Sequence, residues 1–261
     1  RGDTLNLPSL TIQLSSPMKN VIKVKAWHHK GTRLKTPEFD IKNELLPLEC
    51  EQNEEQTILN SGNVSVNIKR KPFNITFTQG NQVLTSIDSK GVAWIKGPEK
   101  QSYMRGQLNI GVGEYLYGLG ERFTPFVKNG QIVDTWNEDG GTSSEQSYKN
   151  IPFFLSNKGY GVLVNHPENV SFEIASEAVS KTQFSVEGEC IEYFLIGGET
   201  PKEVLANYTE LTGKPALPPA WSYGLWLTTS FTTDYNEETV THFVDGMAER
   251  DIPLSVFHFD C

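Results

Sequence analysis

The chain has 261 residues, 37% of them hydrophobic, and a formal net charge of −9. That length and apolar content suffice for a substantial core, as one large domain or as one domain and part of another, and the dispersed acidic residues leave no basic footprint for nucleic acid. No stretch approaches the roughly 18 consecutive apolar residues of a membrane span and the opening RGDTLNLPSL lacks a signal-peptide pattern, so neither membrane nor nucleic acid is an expected partner.

From about Thr57 to Ile196 the apolar residues come in short β-branched and aromatic runs, among them VSVNI at 64–68, FNITF at 73–77, IPFFL at 151–155 and GVLVN at 161–165. Period-two alternation with Gly, Asn and Pro punctuation predicts antiparallel strands. The glycines of GVGEYLYGLGE do not fit a phosphate-binding spacing and read as turns between strands. Between Asp134 and Asn150 lies DTWNEDGGTSSEQSYKN, far longer than the usual hairpin connection. Its Asp139, Trp136 and Tyr148 are groups that hydrogen-bond sugar hydroxyls and stack on sugar rings, although the same composition also describes a solvated surface loop. In QFSVEGECIEYFLI two alternating runs flank Glu187, Gly188 and Glu189, which predicts a hairpin turning at Gly188.

At Thr200 the pattern changes, because TPKE supplies an N-cap, a proline at the first helical position and a glutamate three residues past the cap. Val204, Leu205, Tyr208 and Leu211 recur at helical spacing up to Gly213, and KPALPPA then forms a stiff connector. WSYGLWLTTS reads as a buried strand, Asn236 caps a helix with an apolar face of Val240, Phe243, Val244 and Met247, and LSVFHFDC reads as a second strand. Strand, helix, strand is the unit of parallel sheets and barrels. The expected organisation is a sandwich domain over 1–199 with its loop at 134–150, a helix and connector over 200–219, and the start of a barrel, cut short, over 220–261. Cys50, Cys190 and Cys261 are widely spaced and are expected to stay unpaired, which points to a reducing, cytoplasmic setting.

The segment YGLGERFTPFVKNGQIVDTWNEDGGTSSEQSYKNIPFFLSNKGYGVLVNHP resembles the sandwich domain of glycoside hydrolase family 31, and ALPPAWSYGLWLTTSFTT and IPLSVFHFDC extend the resemblance to Cys261. Residues 1–105 match only in being strand-rich. The fold implied is mainly β, a large antiparallel β-sandwich of the galactose-mutarotase-like kind followed by the first β-α-β of a (β/α)8 barrel. In that family the long loop passes from the sandwich over the barrel mouth, so the resemblance implies that Asp139 contacts substrate near Asp260. Position alone leaves Asp260 as either a helix cap or a sugar ligand at the active face of a barrel; the resemblance implies the latter. It also implies that Phe231 lines the pocket, where ordinary loop packing is the alternative. Cys261 follows Asp260 where α-glucosidases of the family are expected to read D-I-D, a substitution that resembles the α-xylosidase branch and a pocket for a pentose.

The activity so implied is that of a retaining, exo-acting α-xylosidase releasing xylose from xylosyl-oligosaccharides, with an α-glucosidase of the same family as the alternative. Retention needs a nucleophile and an acid roughly 5–5.5 Å apart; in the family both are Asp residues on later barrel strands or loops, so no catalytic residue is assigned within this chain. The expected partner is an oligosaccharide or xyloside, with homo-oligomerisation open, and neither a metal nor an organic cofactor is expected, since the five histidines lack ligand spacing. A non-catalytic sugar-binding sandwich is the rival reading, with no reason to carry the β-α-β. An epimerase-type sandwich would need a His/Glu pair, and the sequence alone singles none out.

Overall fold

Two kinds of strand, buried on one face or on both, organise the molecule. The structure, a computed structural model, describes residues 8–29, 37–42, 44–138 and 144–260, in two compact units, Arg1–Gly213 and Lys214–Cys261. The first unit contains β1 (Thr11–Met18), β2 (Val21–Trp27), β3 (Glu49–Gln52), β4 (Gln56–Ser61), β5 (Val64–Arg70), β6 (Phe73–Gln79), β7 (Gln82–Asp88), β8 (Val92–Lys96) and β9 (Ser102–Asn109). It continues with β10 (Leu116–Gly118), β11 (Gln131–Asp134), β12 (Phe153–Ser156), β13 (Tyr160–Val164), β14 (Val170–Ile174), β15 (Lys181–Glu187), β16 (Cys190–Gly197) and α1 (Pro201–Thr212). These strands form three antiparallel sheets in the orders β1-β2-β16-β13-β12-β10, β11-β14-β15-β9-β8 and β3-β4-β5-β6-β7.

The six-stranded sheet is buried on both faces. Along β13, Tyr160, Val162 and Val164 join the main core while Leu163 points the other way, and along β16 Ile191, Tyr193 and Leu195 alternate with Phe194 and Ile196 in the same manner. The main core also takes Val66 and Phe77 from the β3–β7 sheet and Met104, Phe172 and Phe184 from the β8–β9 and β14–β15 strands. On the opposite face Val204, Leu211 and Tyr208 of α1 pack with Phe153, Phe194 and Ile196. This double burial is why GVLVN is continuously apolar instead of alternating with polar residues. Leu205 is exposed, so the helical face is narrower than its spacing predicts. Thr200 caps α1 by accepting from the Glu203 N–H, and the Glu203 carboxylate reaches one residue past the cap to the Glu199 N–H at 2.8 Å.

The predicted hairpin at Gly188 does not form. Gly188 does take a positive φ of 108°, but β15 pairs with β9 and β14, whereas β16 pairs with β2 and β13, in a different sheet. The turn carries the chain from one layer to the other, and local alternation cannot distinguish that from a hairpin because both strands bury one face in the same core. Cys50 and Cys190 fall in different sheets, each as a thiol and not in a disulfide; Cys261 lies outside the described residues.

The second unit carries a 3-10 turn (Ala220–Tyr223), β17 (Trp226–Leu227), α2 (Glu237–Glu249) and β18 (Val256–Phe257), with β17 and β18 parallel. Asn236 caps α2 by accepting from the Thr239 N–H at 2.8 Å. The paired strands are two residues long, shorter than their apolar runs suggest, and none of Val240, Phe243, Val244 and Met247 is buried. Among the described residues no helix is long and apolar enough to cross a membrane.

Glu192 of β16 is tied across the six-stranded sheet. Its carboxylate lies 3.2 Å from the Lys23 ammonium and 3.0 Å from that of Lys25, and accepts from the Asn165 amide at 2.8 Å. Burial pushes this carboxyl up, but the Asn165 amide and the two lysines outweigh burial and hold it below the usual carboxylate range. A depressed carboxyl contributes stability that is complete above its unfolded pKa of about 4.3 and is lost as pH falls through the lower folded value. Glu192→Gln is therefore expected to cost about 1–3 kcal/mol at pH 7 and much less near pH 3, measured by denaturant unfolding. Equal losses at both pH values would show that packing, not charge, sets the effect.

Candidate functional site

The long loop is held at its base by one guanidinium. Arg122 Nε donates to the Leu119 carbonyl, Nη1 to that of Glu145 and Nη2 to that of Asp134, each at 3.0 Å, and Nη2 also donates to Asn150 Oδ1. Asn150 Nδ2 in turn donates to the carbonyls of Trp136 and Ser147 at 2.8 and 2.9 Å. Ser147 is buried, its hydroxyl donates to the Glu121 carbonyl, and its backbone bridges Asn137. These bonds fasten the outgoing stem, 134–138, to the returning stem, 144–150. Without a strand ladder, the carbonyls at the loop base need such donors. Burial lowers the Arg122 pKa against the raising effect of Asp134, yet a guanidinium stays charged at any ordinary pH.

Gly120 permits this arrangement. Its φ is +94°, and a Cβ there would sit 1.9 Å from the Lys149 carbonyl oxygen, which accepts from the Glu121 N–H at 2.9 Å. The glycines read as turns and Arg122 has no role in the sequence; a half-buried cation bonded to backbone carbonyls has no spacing signature. Trp136 and Tyr148, one on each stem, are 54% and 67% exposed. Asp139, the residue singled out in this loop, lies outside the described residues, and with it the expected approach to Asp260.

In the second unit the strand ends carry the other candidates. After β17, the Thr229 carbonyl accepts from the backbone N–H groups of Thr232 and Thr233 at 3.0 and 3.2 Å and from the Thr232 hydroxyl at 2.7 Å. This turn puts Phe231 in the left-handed region, φ +61°, and 90% exposed. A non-glycine residue rarely adopts that conformation without a constraint, and here the threonine bonds provide it. Asp260 follows β18, also past a strand end, so Phe231 and Asp260 stand beyond the same, C-terminal end of the parallel pair. Cys261 lies outside the described residues.

A His/Glu pair, which the sequence alone did not single out, does occur in the sandwich. His28 Nδ1 lies 2.6 Å from Glu189 Oε2, the imidazole stacks on Trp94 at 4.3 Å, and Trp94 Nε1 donates to Glu189 Oε1 at 3.1 Å. An acid and a base acting on a sugar carbon need that carbon between them; these two groups are bonded directly to each other and serve as a clasp joining β2, β8 and the start of β16. A cavity of about 610 Å³ in the same unit is lined by Asn63, Gln79, Gln82, Asn157, Lys158 and Glu199 among others. Among the described residues no aromatic side chain lines it.

The comparisons with known proteins follow the same division of the chain. Residues 11–173 match the model of the glycosyl hydrolase 31 N-terminal galactose mutarotase-like domain, and residues 215–261 match the glycosyl hydrolases family 31 TIM-barrel domain. The α-xylosidase XylQ of Lactiplantibacillus pentosus is 56% identical over 100% of this chain, which covers 34% of that protein. An α-xylosidase of Emericella nidulans is 47% identical over 100% of the chain, covering 36% of that relative. The chain thus spans about a third of the length of the curated relatives it matches. A dextranase from Flavobacterium johnsoniae, solved with isomaltotriose, superposes with a TM-score of 0.83 at 23% identity, covering 98% of this chain and 32% of that one, a likeness of fold.

Arg122→Ala is expected to release the loop stems. Each lost charge-assisted bond is worth about 1.5–3 kcal/mol, and Arg122→Lys, with a single ammonium, restores only part. The readout is limited proteolysis of the native protein: cleavage within 134–150 should accelerate strongly in the alanine variant and partly in the lysine variant. Unchanged cleavage would mean that the stems are held without the guanidinium.

Proposed function

The chain belongs to glycoside hydrolase family 31, and from that premise we propose that it is the sandwich and first barrel strands of an α-xylosidase. The enzyme releases α-linked xylose from the ends of xylosyl-oligosaccharides by double displacement with retention. The observation that carries this reading is that two α-xylosidases match the chain from end to end, across both units. Supporting it, Phe231 and Asp260 stand past the C-terminal ends of parallel strands, the side on which such barrels place their active sites.

On this reading Asp260 accepts hydrogen bonds from two sugar hydroxyls and Phe231 gives an apolar wall, and Asp139 and Cys261, outside the described residues, are further proposed sugar contacts. These groups bind and orient the sugar. The nucleophile on the anomeric carbon and the acid on the leaving oxygen come from barrel strands beyond the two described here, and no residue of this chain is assigned either role. The presence of β17, α2 and β18 favours an enzyme over a free-standing sugar-binding sandwich, which has no use for a β-α-β unit. The site of action on this reading is cytoplasmic, which the exposed Cys50 thiol supports.

The test compares the intact protein with residues 1–261 alone on aryl α-xyloside and aryl α-glucoside. The intact protein is expected to turn over the xyloside with the higher kcat/KM and to give the α-anomer of xylose first. Residues 1–261 should give no turnover above a boiled control. Preference for the glucoside would move the substrate to hexoses, and turnover by residues 1–261 would place catalytic carboxylates within this chain.

A further inference from the structure

Between Phe231 and Asp260 the structure contains a tie that neither the sequence motifs nor the family match assigns. The Tyr235 hydroxyl lies 2.8 Å from Thr228 Oγ1, at the end of β17, and accepts from the Asp260 backbone N–H, past the end of β18, at 3.2 Å. Thr228 Oγ1 also accepts from the Ser230 N–H at 3.2 Å, one residue before Phe231. The Tyr235 ring is fixed edge-on by two aromatics of the second strand segment, Phe259 at 5.0 Å and Phe257 at 6.3 Å. One phenol therefore spans the C-terminal edge of the parallel pair, in contact with both strand ends.

The geometry of this edge explains the need for it. β17 and β18 pair over only two residues each, and the last ladder bond beyond them runs from the His258 N–H to the Leu227 carbonyl at 2.9 Å. Past that point Phe259 and Asp260 have left the ladder, and Phe259 is 66% exposed. The Asp260 N–H, beyond the ladder, needs an acceptor from outside it. The Tyr235 hydroxyl holds it, and a phenol can do so because it accepts one hydrogen bond while engaging a second partner.

We infer that Tyr235 is a positioning residue of the sugar subsite: its hydroxyl, bonded between Thr228 and the Asp260 amide, fixes the Asp260 carboxylate for the sugar hydroxyls. This rests on the assignment of Asp260 to sugar binding made above. Tyr235 touches no reacting atom, so its effect is on binding and passes through Asp260.

The experiment uses the intact enzyme and Tyr235→Phe, which keeps the ring and its edge-on contacts and removes only the hydroxyl. The aryl α-xyloside KM and the inhibition constant of free xylose are expected to rise together three- to tenfold, about the worth of one hydrogen bond, with kcat changed much less. Thr228→Val should raise KM in the same direction through the other end of the tie. Xylose affinity measured by calorimetry in an Asp260→Asn background should be insensitive to Tyr235→Phe. A fall in kcat at constant KM would indicate loss of folded enzyme. That outcome, or an undiminished Tyr235→Phe effect in the Asp260→Asn background, overturns the inference and leaves the pocket assignment standing. Unchanged xylose affinity in Asp260→Asn itself overturns the pocket assignment, and the inference falls with it.

Discussion

The sandwich depends on a chain of four rings passing between two of its sheets. Phe154 of β12 meets Phe172 of β14 edge-on at 6.4 Å, Phe172 lies 6.0 Å from Phe184 of β15, and Phe184 meets Tyr193 of β16 at 4.9 Å. The first and last rings belong to the six-stranded sheet and the middle two to the sheet it packs against. The space for Phe184 comes from Gly106 on the adjacent β9, where a Cβ would meet the ring at 2.5 Å. Buried aromatics contribute both area and edge-to-face geometry, so this cluster fixes the sheets in register as well as apart. The Tyr193 hydroxyl, buried among these rings, is raised well above its usual pKa by desolvation.

That register reaches the long loop directly. β12 begins three residues after Asn150, and its Phe153 carbonyl accepts from the Leu119 N–H at 2.9 Å. Leu119 is itself buried, and its carbonyl receives Arg122 Nε. The guanidinium is thus mounted on the same backbone that the aromatic core holds, and the loop stems inherit the rigidity of the sheet. A site on a long loop gains precision only when its supports are fixed in this way.

Strand periodicity, the Thr200 and Asn236 caps and the break at KPALPPA were legible in the sequence because each is a local signal: alternation, an oxygen acceptor before a helix, a proline that cannot continue one. Gly188 was legible as a turn but not as a passage between layers, since β16 leaves β15 to pair with β13 and with β2, the latter more than 160 residues earlier. The length of β17 and β18 was overread because apolar runs measure burial, and strand pairing needs a neighbour. The places of Phe231 and Asp260 past the ends of β17 and β18 could be found from the strand runs before them. Arg122 and Tyr235 could not, because they act through backbone carbonyls and an amide whose positions only the folded chain supplies.

The two supports differ in a way that follows from what each holds. Arg122 serves carbonyls at the base of a connection that has left its ladder, so the group required is a multiple donor with fixed geometry, and a guanidinium offers five N–H groups in one plane. Tyr235 serves an N–H at a strand end, so the group required is an acceptor on a rigid arm, and a phenol packed against Phe257 and Phe259 supplies it without introducing charge. A charged acceptor in that place would set a second negative charge beside the Asp260 carboxylate. A neutral hydroxyl fixes the backbone without adding a charge there. The chemistry of each support is thus set by the unsatisfied backbone group beside it, donor where carbonyls are left over and acceptor where an amide is.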